Sequence, residues 1–316
     1  MLIRSFSPTF GNVATEPARW LRDQGWQVEL WPQGQPVDRA KTKELIADCD
    51  GLVTGMAPID QEMLLAAPHL KVVTMHGTGT NHIDLAFAKE RGVVVCNVPG
   101  GNQRAVAELA LGLIFSLARS IPQARQLVLD GGWSPVIGCE VSGKTLGILG
   151  LGKIGRELAR MARALGMEVV AHTRTPRPEF AAELGLTLLP LDELLARADF
   201  ISLHLPLTPQ TKGLIGAREL ALVKPGAYLL NLGRGGVVEE TSLYQALTQG
   251  RLAGAALDVL AQEPPQDNPL LELDQVIVVP HIGGYSVESL SQVGWTCARN
   301  IAAVLRGEQP PHPVNL

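Results

Sequence analysis

Residues 143–165 read GKTLGILGLGKIGRELARMARAL. The run 145–149 is short and apolar, as a buried strand should be. It is followed by Gly150, Gly152 and Gly155 in a G-x-G-x-x-G pattern. Residues 153–165 then have helical periodicity, with Ile154, Leu158, Met161, Ala162 and Leu165 on one face and Gly166 where a C-terminal cap belongs. Glycines at this spacing allow a tight turn, close approach of backbone to a pyrophosphate, and close packing of helix on strand. The helix N-terminus offers N–H groups to the negative charge. Such a pattern alone is often only a turn. With a strand before it, a helix after it and a second strand at 169–172, it reads as a dinucleotide site. Gly150, Gly152, Lys153, Ile154 and Gly155 are its candidate cofactor contacts.

Further strands are expected downstream at 200–204, 228–231, 255–259 and 276–279, and upstream at 28–31, 52–54, 72–75 and 93–96. Helical patterns lie between them, among them 12–24, 39–49, 105–118 and 287–306. This alternation predicts an α/β fold of two doubly wound parallel-sheet domains, for which 316 residues suffice. Hydrophobic residues at 46% and charged ones at 18% describe an ordinary globular chain. A net charge of −4 implies no general attraction to nucleic acid or to an anionic membrane. Cys49, Cys96, Cys139 and Cys297 are scattered, which disfavours a disulfide framework and a zinc site and fits a reducing cytoplasm. No metal is expected. The start, MLIRSFSPTF, lacks the apolar run of a secretory signal. The segment 105–118 carries Glu108 and is too short to span a bilayer, so it is expected to be buried or to face another subunit.

The end of the strand 169–172 bears on cofactor choice. NAD-specific sites usually place Asp or Glu there to bind the ribose 2′-OH. This chain has Ala171-His172-Thr173-Arg174-Thr175, with no carboxylate. Thr173 and Arg174 could instead bind a 2′-phosphate, so NADP(H) is expected to be preferred, with NAD(H) possible. The bland alternative is a solvated surface arginine.

Three polar residues follow later strands: Arg234 in NLGRGG, Glu263 before Pro264-Pro265, and His281 before Ile282-Gly283-Gly284. Ligands of open α/β sheets bind outside the carboxyl ends of strands. Reduction of a keto acid needs a cation for the carboxylate and carbonyl, a task suited to the arginine fork. It also needs an acid for the new alkoxide, and a histidine beside a carboxylate serves. Singly, each residue has a structural explanation; together they point to this chemistry.

At this point the chain resembles the D-2-hydroxyacid dehydrogenase family over nearly its whole length. The resemblance rests on HGTGTNHID (76–84), Asn97-Val98-Pro99 with Asn102, Val106-Ala107-Glu108, GKTLGILGLGKIG, HLPLTPQTKGLI, KPGAYLLNLGRGGVV, ALDVLAQEP and VVPHIGG. It implies a Rossmann-like cofactor domain (99–284) inserted into a flavodoxin-like substrate domain (1–98 and 285–316), with the active site in the cleft. By matching motif, Arg234 would bind the substrate carboxylate and carbonyl, His281 would be the general acid/base, and Glu263 would pair with it. Thr78 and Gly79 would hold the carboxylate through backbone N–H groups, with Asn102 near the substrate or a hinge. Asp258 would bind the nicotinamide carboxamide. His204 and Pro206 would line the cofactor channel, with Thr211, Val106 and Gly283 as further contacts. The family implies a homodimer, and the helix beginning near Ala105 suits its interface.

Departures bear on the substrate. Met75 and His76 stand where phosphoglycerate-reducing relatives often have an arginine before the Gly-rich loop, and no basic residue follows Trp133 in Ser134-Pro135-Val136-Ile137-Gly138. Both differences weaken a phosphorylated substrate without excluding it, and a small site with an NADPH preference fits glyoxylate or hydroxypyruvate better as the small 2-keto acid. Asn81 replaces a common aspartate, a change to which no consequence is assigned. D-3-phosphoglycerate dehydrogenase and a phosphite-type dehydrogenase are the alternatives, and a redox-sensing corepressor is a remote one. Arg104 could read a distal anionic group or be simply solvated.

Overall fold

The computed structural model describes residues 1–316. It divides into two compact units, Met1–Asn102 with Gly284–Leu316, and Gln103–Gly283. The sequence placed these crossings at 98/99 and 284/285. The loop after residue 98 stays with the first unit because Val98 N donates to Gly77 O (2.8 Å) and Ser289 Oγ donates to Gly101 O (3.3 Å).

The first unit holds five strands: β1 (Leu2–Ser5), β2 (Gln27–Glu29), β3 (Gly51–Thr54), β4 (Val72–Met75) and β5 (Val94–Cys96). They are parallel, in the order β2-β1-β3-β4-β5. β3 and β4 are buried along their whole length, which explains why they read as continuous apolar or β-branched runs. β1 has a weaker signal because it carries Arg4, buried and paired with Glu29 and Asp48. The helix Val287–Leu305 packs on β4 and on the helix Glu16–Asp23, burying Val293, Cys297 and Ile301. Complete burial of a side chain such as Ile301 contributes roughly 1.5–3 kcal/mol. The chain end then covers the β5 edge. Val314 N donates to Val95 O (2.8 Å), and Asn315 bonds both Val95 N and Val93 O.

The second unit holds seven parallel strands: β6 (Thr145–Leu149), β7 (Glu168–His172), β8 (Thr187–Leu188), β9 (Phe200–Leu203), β10 (Ala227–Asn231), β11 (Leu252–Leu257) and β12 (Val276–Val278). Their order is β12-β11-β10-β9-β6-β7-β8, so the winding reverses between β6 and β9. One face packs Ile148 and Ala171 against Ala110, Ile114, Leu158 and Ala162; the other packs Leu149, Val170 and Ile201 with Leu194, Leu220 and Leu243.

Several expected segments are corrected. The helix expected at 12–24 begins at Glu16, with Pro17 in its first turn, because Asn12 is held in the preceding turn by Pro8 O and Trp31 O. The segment 39–49 is an α-helix only over Arg39–Leu45 and tightens to a 3-10 turn at Ile46–Asp48. The strand expected at 28–31 ends at Glu29, and that expected at 255–259 runs instead over Leu252–Leu257. Leu165, assigned to the buried helix face, is 38% exposed as the C-cap of Lys153–Ala164; Gly155 and Ala159 take that face. The helix Gln103–Ala118 turns Val106, Ala110, Ile114 and Leu117 into its own unit's core. No single helix is long and apolar enough to cross a membrane.

Candidate active site

At the reversal point of the second sheet, two glycines stand where no side chain fits. Gly150 has φ +98°, and a Cβ there would lie 2.7 Å from His204 O; one at Gly155 would lie 2.2 Å from Gly150 O. These contacts seat the turn against β9 and the helix Lys153–Ala164 against the turn. A Cβ on Gly152 would meet nothing within 4 Å. Open space there, in front of a helix whose N-terminus no side chain caps, fits the pyrophosphate of a dinucleotide. Lys153 and Ile154 open that helix.

At the end of β7, His172 Nδ1 lies 3.0 Å from Leu189 O, while Arg174 is exposed and Thr173 half-buried. Sequence reasoning missed two further cations nearby: the guanidinium carbons of Arg156 and Arg177 lie 4.2 and 5.5 Å from the Phe180 ring centroid. At the end of β9, His204 is half-buried, and desolvation of its ring pushes its pKa down to about 4. Its Nε2 lies 2.9 Å from Ser202 Oγ, and its Nδ1 has no partner. Thr211 Oγ1 donates to Pro206 O at 2.6 Å, bracing the following loop.

The polar residues at the ends of β10, β11 and β12 share one network. Asn231 turns the chain after β10: Gly233 N donates to its Oδ1 (3.1 Å) and its Nδ2 donates to Arg234 O (3.0 Å). Arg234 is half-buried, with Nη1 donating to Gly233 O (2.8 Å). Gly235 is needed because a Cβ there would overlap Leu260 O, at 1.8 Å. Glu263 Oε1 accepts from Leu260 N (3.0 Å), and its Oε2 lies 2.7 Å from His281 Nδ1. Burial opposes ionisation of Glu263. Hydrogen bonding and charge from His281, the Leu260 amide and the charge of Arg234 outweigh it and hold the carboxyl below its usual range. Both side chains stay accessible, 29% for His281 and 31% for Glu263.

His281 adopts φ +53°, a left-handed conformation costing of order 1–3 kcal/mol in a residue with a Cβ. Its neighbours hold it there. His281 N donates to Val279 O (2.9 Å), Ile282 N to Asp258 Oδ1 (2.7 Å), and Gly283 N to Asp258 Oδ2 (3.0 Å). Asp258 is 4% exposed, and burial, the largest influence, pushes its carboxyl up. A Cβ on Gly283 would lie 2.7 Å from Asp258 Oδ2 and 3.4 Å from Val106, which joins Val106 to this group.

The other expected residues belong to the first unit. Thr78 Oγ1 donates to Val98 O (3.0 Å), and Asn97 Nδ2 to Thr78 O (2.8 Å), so the turn with Gly79 is braced from β5's end. Asn102 lies against Gly284. His76 is half-buried, desolvation pushing its pKa down to about 4, with Nδ1 3.1 Å from Ser7 Oγ and 3.3 Å from Thr9 Oγ1. The five loops that follow this unit's strands (6–15, 30–38, 55–60, 76–84 and 97–102) contain no lysine or arginine. Arg104, beyond them, is paired with Glu108 at 2.8 Å.

Residues 111–283 match the model of the D-isomer specific 2-hydroxyacid dehydrogenase, NAD binding domain. The chain belongs to that family. Within it, the protein is 44% identical over 296 residues to D-3-phosphoglycerate dehydrogenase of Mycobacterium tuberculosis (strain ATCC 25618 / H37Rv), covering 92% of this chain but 56% of that protein. It is 39% identical over 301 residues to glyoxylate reductase of Korarchaeum cryptofilum, covering 93% of this chain and 91% of that one. This 2-hydroxyacid dehydrogenase family member thus spans about half the length of the mycobacterial relatives. Its fold matches a crystal structure of a Thermus thermophilus protein with a TM-score of 0.90 at 36% identity, covering 99% of this chain and 100% of that one.

Proposed function

We propose that the protein is an oxidoreductase that reduces a small 2-keto acid to its D-2-hydroxy acid, with glyoxylate and hydroxypyruvate as substrates and NADPH preferred over NADH. The observation that carries the reading is the His281–Glu263 contact of 2.7 Å in a network that includes Arg234. A nicotinamide cofactor bound over Gly150, Gly152 and Gly155 supplies the hydride. Arg234 binds the substrate carboxylate and carbonyl, where its fixed fork orients the keto group. His281 delivers a proton to the carbonyl oxygen, and Glu263 holds the ring through Nδ1 so that Nε2 is the donor. Thr78 and Gly79 contribute backbone amides to the carboxylate, and Asn102 assists them. Val106, His204, Pro206, Thr211, Asp258 and Gly283 serve the cofactor.

The preference for NADPH is supported by Arg174 and Thr173 at the end of a β7 that lacks a carboxylate, with Arg156 and Arg177 adding positive charge around Phe180. The unphosphorylated substrate is supported by the five cation-free loops of the first unit, which we assign as the substrate domain. Similarity to mycobacterial D-3-phosphoglycerate dehydrogenase supports a second reading, in which phosphohydroxypyruvate is the keto acid. Initial rates with NADPH and NADH across glyoxylate, hydroxypyruvate, pyruvate and phosphohydroxypyruvate separate the two. Fast NADPH oxidation with the first two is expected. A preference for NADH with phosphohydroxypyruvate would replace the first reading by the second.

We further propose a homodimer in a reducing cytoplasm. All four cysteines are free. Ile121, Val128, Leu129, Trp133 and Ile137 expose apolar surface beyond the inward-turned helix Gln103–Ala118, with Trp133 at 89% and Ile137 at 86%. A second copy covering this surface would appear as a dimer in sedimentation, lost in Trp133→Asp.

A further inference from the structure

The Asp258 carboxylate is buried, yet its two oxygens accept from the amides of Ile282 and Gly283 rather than from a cationic side chain. Those amides directly follow His281, whose backbone is left-handed at φ +53°. An imidazole on such a backbone keeps its direction only if the peptides on both sides are pinned. On the N-terminal side His281 N donates to Val279 O, and on the C-terminal side Asp258 is the acceptor. Gly283 fits the same design, since a Cβ would lie 2.7 Å from Asp258 Oδ2 and force the carboxylate off the amides.

Asp258 is itself anchored. Its N donates to Asn231 O (3.0 Å), and Asn231 Nδ2 donates to Arg234 O (3.0 Å). One hydrogen-bonded frame, Arg234–Asn231–Asp258–Ile282, therefore runs from the arginine turn to the histidine turn.

We propose that Asp258 is a positioning residue for His281: by holding the two peptides after the imidazole, it aims Nδ1 at Glu263 and sets the ring relative to Arg234. This rests on the reading of His281 as the acid/base group. It assigns Asp258 a task separate from any contact with the cofactor. Removing one acceptor loosens the turn, and removing both releases it.

The test compares Asp258→Asn, which keeps one acceptor oxygen, with Asp258→Ala, which keeps none, and with His281→Ala. Keto acid kcat is expected to fall by about 10²-fold in Asp258→Ala, the scale of a displacement of about 1 Å, and by less in Asp258→Asn. The Kd for NADPH, read by fluorescence titration, reports any loss of the cofactor contact separately and is expected to rise by less than kcat falls. In the protein without cofactor, the proton signal of the His281–Glu263 hydrogen bond should weaken in the same order. Loss of NADPH affinity with kcat preserved would overturn the proposal and leave Asp258 as a cofactor contact only. An unchanged proton signal in both variants would overturn it too. If Asp258→Ala fails to fold, Gly283→Ala displaces the carboxylate from the other side and must reproduce the weakened proton signal. Activity retained in His281→Ala would instead remove the acid/base reading itself, an outcome distinct from a failure confined to Asp258.

Discussion

The loops at the carboxyl ends of the first unit's strands hold no lysine or arginine, whereas those of the second unit carry Arg174, Arg177, Lys212 and Arg234. Each sheet also has a histidine near these ends, His76 in the first and His204 in the second. Both are half-buried, with one ring nitrogen of each shut off from solvent and unpartnered, and desolvation pushes both pKa values down to about 4. His281 differs from them in being paired with a carboxylate, that of Glu263. Two parallel sheets of similar winding thus differ in whether cations stand at this edge. In the first unit these loops offer an anion backbone amides, hydroxyls and imidazoles but no lysine or arginine. In the second, the loops carry cationic side chains, and the His281 imidazole stands against the Glu263 carboxylate.

The largest effect expected from this contrast is at the accessible histidine. His281→Ala should lower kcat by about 10²–10⁴-fold, the range for loss of a general acid. A loss below about tenfold in the folded variant would show that the charged edge is not where protons are delivered. Glu263→Gln comes next. The native carboxyl is held below its usual range, so it stays ionised into acid pH and keeps its hold on the imidazole Nδ1. In Glu263→Gln, kcat should be lower throughout, and the acid limb set by protonation of that carboxyl should vanish. A pH–rate profile superimposable on the wild type would show that the 2.7 Å contact is structural only.

A smaller effect is expected at the exposed Arg174. Arg174→Ala should reduce the preference for NADPH over NADH by roughly tenfold, as for loss of a charge-assisted hydrogen bond. An unchanged ratio of kcat/KM values would return Arg174 to an ordinary surface role. The smallest effect, and the sharpest probe of the contrast, is a cation added to the edge that has none. Met56 is exposed in the loop after β3. Met56→Arg should improve kcat/KM for phosphohydroxypyruvate a few-fold relative to hydroxypyruvate, within the range of an exposed ion pair. No change in that ratio would mean that the loop 55–60 does not read the substituent.

Much of the fold was legible because its strands are buried on both faces and so stand out as apolar runs. Val72–Met75 and Thr145–Leu149 have the bounds that the sequence suggests. β1 and β8 were not legible. Arg4 interrupts the first, and its burial is compensated by Glu29 and Asp48 from distant segments; the second is only two residues long. Helix starts were misjudged where a side chain holds the preceding turn, as Asn12 does before Glu16–Asp23.

The residue types of the candidate site were readable in the linear order of motifs, because strand ends followed by glycines mark ligand-facing loops. The linear chain alone pointed to two doubly wound parallel sheets, a dinucleotide loop at 150–155, and a family in which Arg234, Glu263 and His281 matter. Folding in three dimensions was needed to bring Glu263 within 2.7 Å of His281, to set Asp258 on the peptides beyond it, to lay Arg156 and Arg177 near Phe180, and to place His76 against the hydroxyls of Ser7 and Thr9. Periodicity and glycine placement are local properties of the chain. Burial, hydrogen-bond partners and the direction of a side chain depend on segments that meet only after the sheet has formed.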